Sequence, residues 1–322
     1  MIGPTFHAGE RAVQERAGVA LRMAQVGPRV IRESMPDQHR EFFAQLPFVL
    51  VGTVDDRGQP WASVLSAPPG FIQSPNPFTL TMHAKPLAGD PLLDTLADGT
   101  DIGMLGLEPQ TRRRNRMNGV VQGVHADGFG VKLKQSFGNC PKYIQAREPI
   151  FLPGPHTKTL VIHQSAQLDD AARRMIKNAD TLFIATAYPA QNEAQKTDGD
   201  PAHGVDVSHR GGKPGFVRVD NDSTLTMPDF SGNFFFNTLG NIAANPRAGL
   251  LFIDFETGDL LYLAVSAEIV WDGAELRAFE GAQRLLQFKV LAMRRVEASL
   301  PLRWGPAELS PVLAGTGVWG VI

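Results

Sequence analysis

The alternation of hydrophobic and polar stretches along the chain predicts short strands separated by turns. Residues 48–54 form an apolar run with β-branched members, and the polar run 55–59 after it has the composition of a hairpin turn. Similar runs predict strands at residues 79–82, 101–107, 119–125, 205–209, 214–219, 223–227, 248–255 and 260–271. Too few helical segments separate them for repeated βαβ crossovers, so the pattern indicates an antiparallel barrel or sandwich.

Helices are predicted mainly around this strand pattern. Residues 6–26 place apolar side chains among charged ones at helical spacing, and a short helix is expected after Pro36. The charged stretch from residue 272 to about residue 295 is also predicted to be helical. Residues 188–204 are polar and predict a surface loop.

The chain repeats part of its own sequence. Residues 79–82 read Thr-Leu-Thr-Met, and so do residues 224–227. A repeat unit of well over a hundred residues is too long for a solenoid and predicts two copies of one domain. We expect a helical arm at residues 1–35, a first β domain at 36–150, a connector at 151–167, a second β domain at 168–298 and a tail at 299–322.

Composition narrows the function classes. The chain has 322 residues and a net charge of -2, which gives no general reason to expect nucleic acid as a partner. Cys140 is the only cysteine, so a thiolate zinc cage is excluded, and the eight histidines lack metal-ligand spacing. No apolar run approaches the roughly 20 residues of a membrane span. We expect a cytoplasmic protein with no bound metal and no membrane contact.

The first of three polar clusters is the predicted hairpin at residues 208–218. It contains Ser208, His209, Arg210, Gly211 and Lys213 and ends at Arg218. Glycines there expose backbone N–H groups beside cationic side chains, a combination that suits a phosphate. An ordinary solvated β-turn has the same composition, and that alternative stays open.

The second cluster carries three asparagines. Asn237 and Asn241 are four residues apart and share one face of a predicted helix, while Asn233 precedes it. Helix N-terminal amides bind phosphates, and the three phenylalanines at residues 234–236 could flank a planar ring. A capped helix with core aromatics explains the pattern equally well.

The third cluster is the basic run at residues 112–116, which has four arginines. Such a run is typical of a solvated strand end or a salt-bridged interface, and its functional interpretation is a phosphate or an acidic partner. Cys140 is either a nucleophile or a buried apolar side chain.

Several of these segments resemble the pyridoxamine 5'-phosphate oxidase-like family of FMN-binding split barrels. The resemblance rests on the segments at residues 55–63, 139–144, 208–218, 233–241 and 245–252, and it covers most of residues 36–150 and 168–272. It is closest to members with two barrels in tandem. The resemblance implies a mainly β fold with flanking helices, built from two tandem antiparallel split β-barrels.

The resemblance also implies an FMN site. By position, Lys213 and Arg218 resemble the strand pair that grips the FMN phosphate in the family. Asn237 and Thr238 stand where the family has a helical Arg-Lys pair, so His209 and Arg210 would have to compensate. The residues expected to bind the cofactor are Ser208, His209, Arg210, Gly211, Lys213, Arg218, Asn233, Asn237 and Asn241.

The functional hypothesis is therefore an FMN-dependent oxidoreductase of unknown substrate, with no catalytic acid or base identified. In the family the flavin lies between two barrels; here we expect the second copy to grip the cofactor and the first to complete the pocket. A homodimer is expected, with a small-molecule substrate or electron donor and a ferredoxin-type reductase as a further candidate partner. The alternatives are a non-catalytic flavin- or haem-storage protein and a ligand-free scaffold that uses the basic run.

Overall fold

The fold is known from a computed structural model, which describes residues 5–152, 160–188 and 200–320. Its helices are α1 (Ala8–Arg16), α2 (Ala20–Val30), α3 (Asp37–Ala44), α4 (Leu92–Thr95), α5 (Asp170–Asn178), α6 (Asn237–Ala244) and α7 (Ala274–Ala278). The strands of the first half are β1 (Phe48–Val54), β2 (Pro60–Ser66), β3 (Ile72–Asn76), β4 (Thr79–Met82), β5 (Asp101–Glu108), β6 (Arg113–His125), β7 (Gly128–Gly138) and β8 (Pro149–Phe151). Those of the second half are β9 (Ile162–Ser165), β10 (Thr181–Tyr188), β11 (Gly204–Gly211), β12 (Arg218–Asn221), β13 (Thr224–Phe230), β14 (Arg247–Ile253), β15 (Leu260–Val270), β16 (Ala282–Val296) and β17 (Leu302–Trp304).

Two large antiparallel sheets dominate the structure and have the same strand order. The first sheet runs β2-β1-β5-β6-β7-β4-β3, and the second runs β11-β10-β14-β15-β16-β13-β12, with β9 added beside β16. Counted from β1 in the first sheet and from β10 in the second, both orders are 2-1-5-6-7-4-3. The prediction of a mainly β fold with two antiparallel split-barrel sheets is confirmed.

Each sheet encloses its own apolar core, and a third apolar cluster lies where the two sheets meet. Glycines at matching places allow the close approach. A Cβ atom on Gly103 of β5 would lie 2.5 Å from the Val205 carbonyl oxygen, and one on Gly249 of β14 would lie 2.4 Å from the Pro60 carbonyl oxygen. The two halves therefore pack strand against strand in a pseudo-symmetric manner.

The prediction of a helix from residue 272 to about residue 295 is wrong. Only the five-residue α7 is helical there, and Ala282–Val296 is the strand β16. The charged residues of this stretch suggest an exposed helix, but some of them are buried in ion pairs within the sheet. Arg284, for example, pairs with Asp229 at 3.0 Å. In the sequence, charged residues along such a strand resemble the exposed face of a helix.

Other segments differ in extent. The helix predicted at residues 6–26 is two helices, interrupted near Gly18, which has φ = 70°. Strand β7 was not predicted at all, and the strand predicted at 214–219 begins only at Arg218. Most of the predicted loop at 188–204 lies outside the described residues. The proposed domain boundaries stay predictions, although β9 of the proposed connector pairs with β16 of the second sheet.

Candidate functional site

A polar cavity of about 80 Å³ lies between the two halves of the chain. The first half contributes side chains from β5, β6 and the segment after β7, and the second contributes β11, the end of β13 and the start of α6. The lining residues are Leu105, Arg114, Arg116, Asn139, Cys140, Ser208, His209, Arg210, Asp229, Phe230, Gly232, Asn233, Phe234, Phe236, Asn237, Thr238 and Leu239. Three arginines and one carboxylate make the lining cationic.

Arg114 is the least compensated of these cations. Its Nε donates to the Cys140 carbonyl oxygen at 2.7 Å, and its Nη1 lies 3.3 Å from His209 Nδ1 and 3.4 Å from the His209 carbonyl oxygen. These acceptors are neutral, and no carboxylate among the described residues forms an ion pair with Arg114. Burial lowers the pKa of Arg114 to about 10.

Arg116, two residues further along β6, points to the same side of the strand and is 3 % exposed. Its Nη1 donates to Asp206 Oδ1 at 2.8 Å, and its Nη2 donates to the Ser208 hydroxyl and to the Val207 carbonyl oxygen. Its buried Nε has no acceptor. The Arg116–Asp206 pair joins the two halves and leaves one N–H unsatisfied, which has a free-energy cost.

Arg210 shares a carboxylate with a second arginine. Arg210 Nη1 lies 3.2 Å from Asp229 Oδ1, and Arg284 Nη2 lies 3.0 Å from Asp229 Oδ2. The buried Nε of Arg210 has no acceptor. One negative charge therefore serves two guanidinium groups, and positive charge remains in excess at this wall.

His209 is neutral and organises Arg114. Burial, with the charges of Arg114 and Arg210, holds the pKa of His209 well below its ordinary value. The neutral ring can accept the Arg114 N–H at Nδ1, and it packs edge-on against Phe183. We infer that His209 orients a cation and adds no charge itself.

The start of α6 forms another wall of the cavity. The first amides of a helix have no partner within the helix, and the residue before α6, Phe236, provides no side-chain cap. Phe236 and Phe234 adopt φ = 61° and 64°, a left-handed conformation that aromatic residues rarely adopt. Such strain clusters at functional sites. Uncapped amides beside cations are suited to bind an anion.

The structure places several of the predicted residues at this cavity. Ser208, His209, Arg210, Asn233 and Asn237 line it. The Ser208 hydroxyl also accepts a hydrogen bond from Thr238 at 3.1 Å, and Asn233 Nδ2 donates to Asn139 Oδ1 across the two halves at 3.3 Å. Their contribution to cofactor binding stays a prediction.

The two helical asparagines have protein partners. Asn237 Nδ2 donates to the Glu10 carboxyl. Asn241 lies behind the cavity, where its Nδ2 donates to Thr186 Oγ1 at 3.1 Å and to Asp206 Oδ2 at 3.0 Å. In this structure both side chains tie α6 to neighbouring elements.

Lys213 and Arg218 are not among the cavity residues. Lys213 Nζ donates to the Thr316 carbonyl oxygen at 2.6 Å. Arg218 pairs with Asp220 and Glu275 and lies over the Trp319 ring at 4.3 Å. Both contact the C-terminal tail or neighbouring acids. The structure thus separates them from Arg210, which the sequence had grouped with them.

Arg114 and Arg116 were not included in the predicted site, although the basic run containing them was noted. Their spacing offered a signal, because residues two apart on a strand share a face. What the sequence could not supply was their partner, since Asp206 and His209 follow about 90 residues later and reach them only through the packing of the two halves.

A smaller cavity of about 50 Å³ adjoins the first and shares Arg114, His209 and Arg210 with it. It adds Lys142, Gly211 and Tyr143, whose ring stacks on the shared Phe230 with centroids 5.1 Å apart. Together the two cavities form a cleft that is cationic at α6 and aromatic at Tyr143.

The matching strand registers define a second groove related to this one by the pseudo-symmetry. In the first sheet Leu105 pairs with Leu50, and in the second Leu251 pairs with Phe183. Taking these rows as equivalent, Leu260 and Tyr262 of β15 correspond to Arg114 and Arg116 of β6, and Val64 and Leu65 of β2 correspond to His209 and Arg210 of β11.

This second groove is filled. Val64, Leu260 and Tyr262 belong to the apolar cluster between the sheets. Asp90, which is fully buried, accepts a hydrogen bond from Tyr262 Oη at 2.8 Å and from the Leu92 amide at the start of α4 at 2.8 Å. A protein carboxyl thus accepts a backbone amide at the helix start in one groove, whereas no carboxyl among the described residues accepts a backbone amide at the start of α6.

The part of the chain that contains the first sheet is similar in sequence to a known protein family. Residues 35–151 match the family model described as pyridoxamine 5'-phosphate oxidase. This part of the chain is therefore similar to the pyridoxamine 5'-phosphate oxidase family model. The match ends before the second sheet, which repeats the strand order of the family domain. No curated protein matches the chain significantly.

Solved structures that are similar to part of this chain include three proteins of low sequence identity. A putative pyridoxamine 5'-phosphate oxidase from Lactobacillus delbrueckii is 16% identical, with a TM-score of 0.30, over 40% of this chain and 94% of its own. The haem storage protein HutZ from Vibrio cholerae is 16% identical, with a TM-score of 0.25, over 39% and 89%. An FAD-binding protein from Mesorhizobium loti is 11% identical, with a TM-score of 0.24, over 42% and 98%. These scores are too low to support conclusions about ligands.

Within the described residues, no group of three metal-ligating side chains is close enough to hold a metal ion. No helix in the same residues is long and apolar enough to cross a membrane.

Proposed function

We propose that the chain binds FMN in the cleft between its two halves and uses it as a redox cofactor. The observation that carries the proposal is the combination of Arg114, a cation without a carboxylate partner among the described residues, with the uncapped start of α6. A phosphate would neutralise the first and accept hydrogen bonds from the second.

The filled groove supports this interpretation from within the same molecule. There the buried carboxyl of Asp90 accepts the amide at the start of α4, and an apolar residue, Leu260, takes the place of Arg114. The groove that contains the Asp90 carboxyl has no cation at the position equivalent to Arg114. The cationic groove has the opposite composition, with Arg114 present and, among the described residues, no carboxyl on the first backbone amides of α6, and this favours the binding of an anion from solution.

Cavity size indicates which part of the cofactor is enclosed. A volume of about 80 Å³ suits a phosphate group, whereas sites that enclose a whole ligand of drug size measure roughly 300–1,000 Å³. Arg114, Arg210 and the α6 amides would hold the phosphate, and Tyr143 and Phe230 would contact the ring system. A bound flavin would supply electron transfer, for which a protein acid or base is not always required.

Haem fits this lining less well than FMN. A porphyrin needs a broad apolar surface, and the described lining is mostly polar. The His209 ring is also engaged by Arg114 at Nδ1 and buried. The lining therefore favours a phosphate-bearing ligand.

The proposal is tested by titrating the full chain with FMN and with riboflavin, following flavin fluorescence. Because riboflavin lacks the phosphate, FMN should bind at least roughly 100-fold more tightly, the effect of two charge-assisted contacts. Equal affinities, or no binding of FMN, would overturn the proposal.

Redox use is tested separately from binding. NADH or NADPH, with and without an added ferredoxin-type reductase, should bleach the flavin absorbance of the FMN-loaded protein. A flavin that binds tightly and is reduced by no nicotinamide would indicate storage instead. Association into a homodimer and a reductase partner stay predictions.

A further inference from the structure

The N-terminal helix α1 belongs to neither sheet but packs directly on the start of α6. A Cβ atom on Gly9 would lie 2.2 Å from the Gly240 carbonyl oxygen, and one on Gly240 would lie 2.6 Å from Glu10 Cα. Two helices approach this closely only where small residues meet. Backbone contact therefore fixes α1 against α6.

Two buried polar side chains of α1 reach the strained segment before α6. Gln14 Nε2 donates to the Phe235 carbonyl oxygen at 3.1 Å, and the Glu10 carboxyl accepts from Asn237 Nδ2. Gln14 and Glu10 are 2 % and 3 % exposed. These bonds bracket Phe236, the left-handed residue that leaves the α6 amides uncapped.

The rest of the arm holds the same segment. The Phe6 and Phe235 ring centroids are 5.6 Å apart, and Arg22 of α2 lies over the Phe234 ring at 5.8 Å. Strained backbone persists where its surroundings over-determine it. Much of the support for Phe234–Phe236 comes from the arm at residues 5–30.

We propose that the N-terminal arm is a positioning element for the anion site, in which Gln14 and Glu10 hold residues 234–237 so that the α6 amides face the cavity. The inference rests on the proposed function for the identity of the anion. Gln14 and Glu10 act through the backbone and do not contact the ligand.

The chemistry of Glu10 defines a conservative variant. Burial raises the pKa of Glu10 well above its ordinary value, which favours the neutral acid. Glu10→Gln keeps one acceptor oxygen for Asn237, although its amide nitrogen then faces the His7 N–H that Glu10 Oε2 accepts at 2.9 Å. Glu10→Ala removes both acceptors. Gln14→Leu keeps the volume and removes the donor to Phe235.

The experiment has a ligand-free and a ligand-bound part. Amide hydrogen exchange of residues 234–239 is first measured in the full chain without ligand. The chain is then titrated with FMN, followed by flavin fluorescence, and separately with inorganic phosphate, followed by the Thr238 and Leu239 amide resonances. Glu15→Ala is the matched control, because Glu15 lies on the exposed face of α1.

Gln14→Leu and Glu10→Ala should accelerate exchange at residues 234–239 and weaken FMN binding by roughly five- to tenfold, the effect of one hydrogen bond. Riboflavin affinity should not change, and Glu10→Gln should restore part of the FMN affinity lost in Glu10→Ala, because it keeps one of the two acceptor oxygens. Glu15→Ala should behave as wild type.

Unchanged exchange and unchanged FMN affinity in Gln14→Leu and Glu10→Ala would overturn the positioning role. If wild type binds neither FMN nor phosphate, the proposed function fails, and the ligand-free exchange still decides whether the arm holds the segment. An equal loss of FMN and riboflavin affinity would contradict a role at the phosphate.

Discussion

The two grooves between the halves of the chain occupy equivalent places and have opposite chemistry. One places Arg114 and His209 beside the uncapped start of α6. The other places Leu260 and Val64 beside Asp90, whose carboxyl accepts the first amide of α4. The shared strand order shows that the fold alone does not make a site.

The two grooves also differ in how much they contribute to the stability of the folded chain. In the filled groove apolar side chains pack and the buried carboxyl has donors, so the groove contributes to the core. In the cationic groove Arg114 lacks an ion pair among the described residues, and Arg116 Nε and Arg210 Nε lack acceptors. Leaving such groups unsatisfied costs free energy.

The largest effect is expected when the cationic groove is made to resemble the filled one. Arg114→Leu introduces the residue found at the equivalent position 260, and it should weaken FMN binding by roughly 10- to 150-fold, the effect of losing hydrogen bonds from a charged group. Flavin fluorescence titration measures this change.

The control for Arg114→Leu is Arg112→Ala, which removes a partly exposed pairing with Glu308 and should leave FMN affinity unchanged. Stability of Arg114→Leu, measured by urea unfolding, should equal or exceed wild type because an uncompensated cation is lost. Wild-type affinity in Arg114→Leu would contradict the assignment of the groove.

Asp90 should give the filled groove a pH dependence. Burial raises its pKa from 3.8 to about 6, so the folded chain binds more protons than the unfolded chain between these values. Stability from this group is therefore highest below pH 4 and falls as pH rises to about 6, by about 3 kcal/mol in total.

Asp90→Asn should lack this fall, which appears as a difference between the wild-type and variant unfolding free energies at pH 4.5 and pH 7. The difference isolates Asp90 from other groups that titrate in the same range. Parallel pH profiles for the two proteins would show that the carboxyl is not buried as described.

The paired glycines test whether the two halves pack alike. Gly103→Ala and Gly249→Ala each force a methyl group against backbone of the other half, and each should reduce the unfolding free energy by about 1–3 kcal/mol. Gly305→Ala, where a Cβ meets nothing within 4 Å, is the control. If only one of the two variants lost unfolding free energy, the two halves would not pack alike at these glycines.

A smaller effect is expected from Tyr262, the counterpart of Arg116. Tyr262→Phe removes one donor to Asp90 and should cost about 1 kcal/mol of unfolding free energy. FMN affinity should stay at the wild-type value, since FMN is proposed to bind in the cationic groove only. A weakened FMN complex would mean that the two grooves are coupled.

Much of the fold could be predicted from the sequence because strands leave local signals. The repeated Thr-Leu-Thr-Met segment and the apolar runs located most strands of both halves. Strand β16 was mistaken for a helix, since its charges are neutralised by partners such as Asp229 that local sequence does not reveal. Only part of the candidate site could be predicted, again because local sequence does not reveal partners that are distant in the chain. Arg210 lies in a recognisable segment, but its neighbour Arg114 comes from the other half.

The central claim is that one groove binds the cofactor and the equivalent groove does not. Its most direct test is the stoichiometry of FMN bound to the full chain, measured by isothermal titration and by quantifying flavin released from the saturated protein. The account predicts one FMN per chain in wild type, with a site sensitive to Arg114→Leu and insensitive to Tyr262→Phe. Two FMN per chain, or one whose affinity depends on Tyr262, would contradict it.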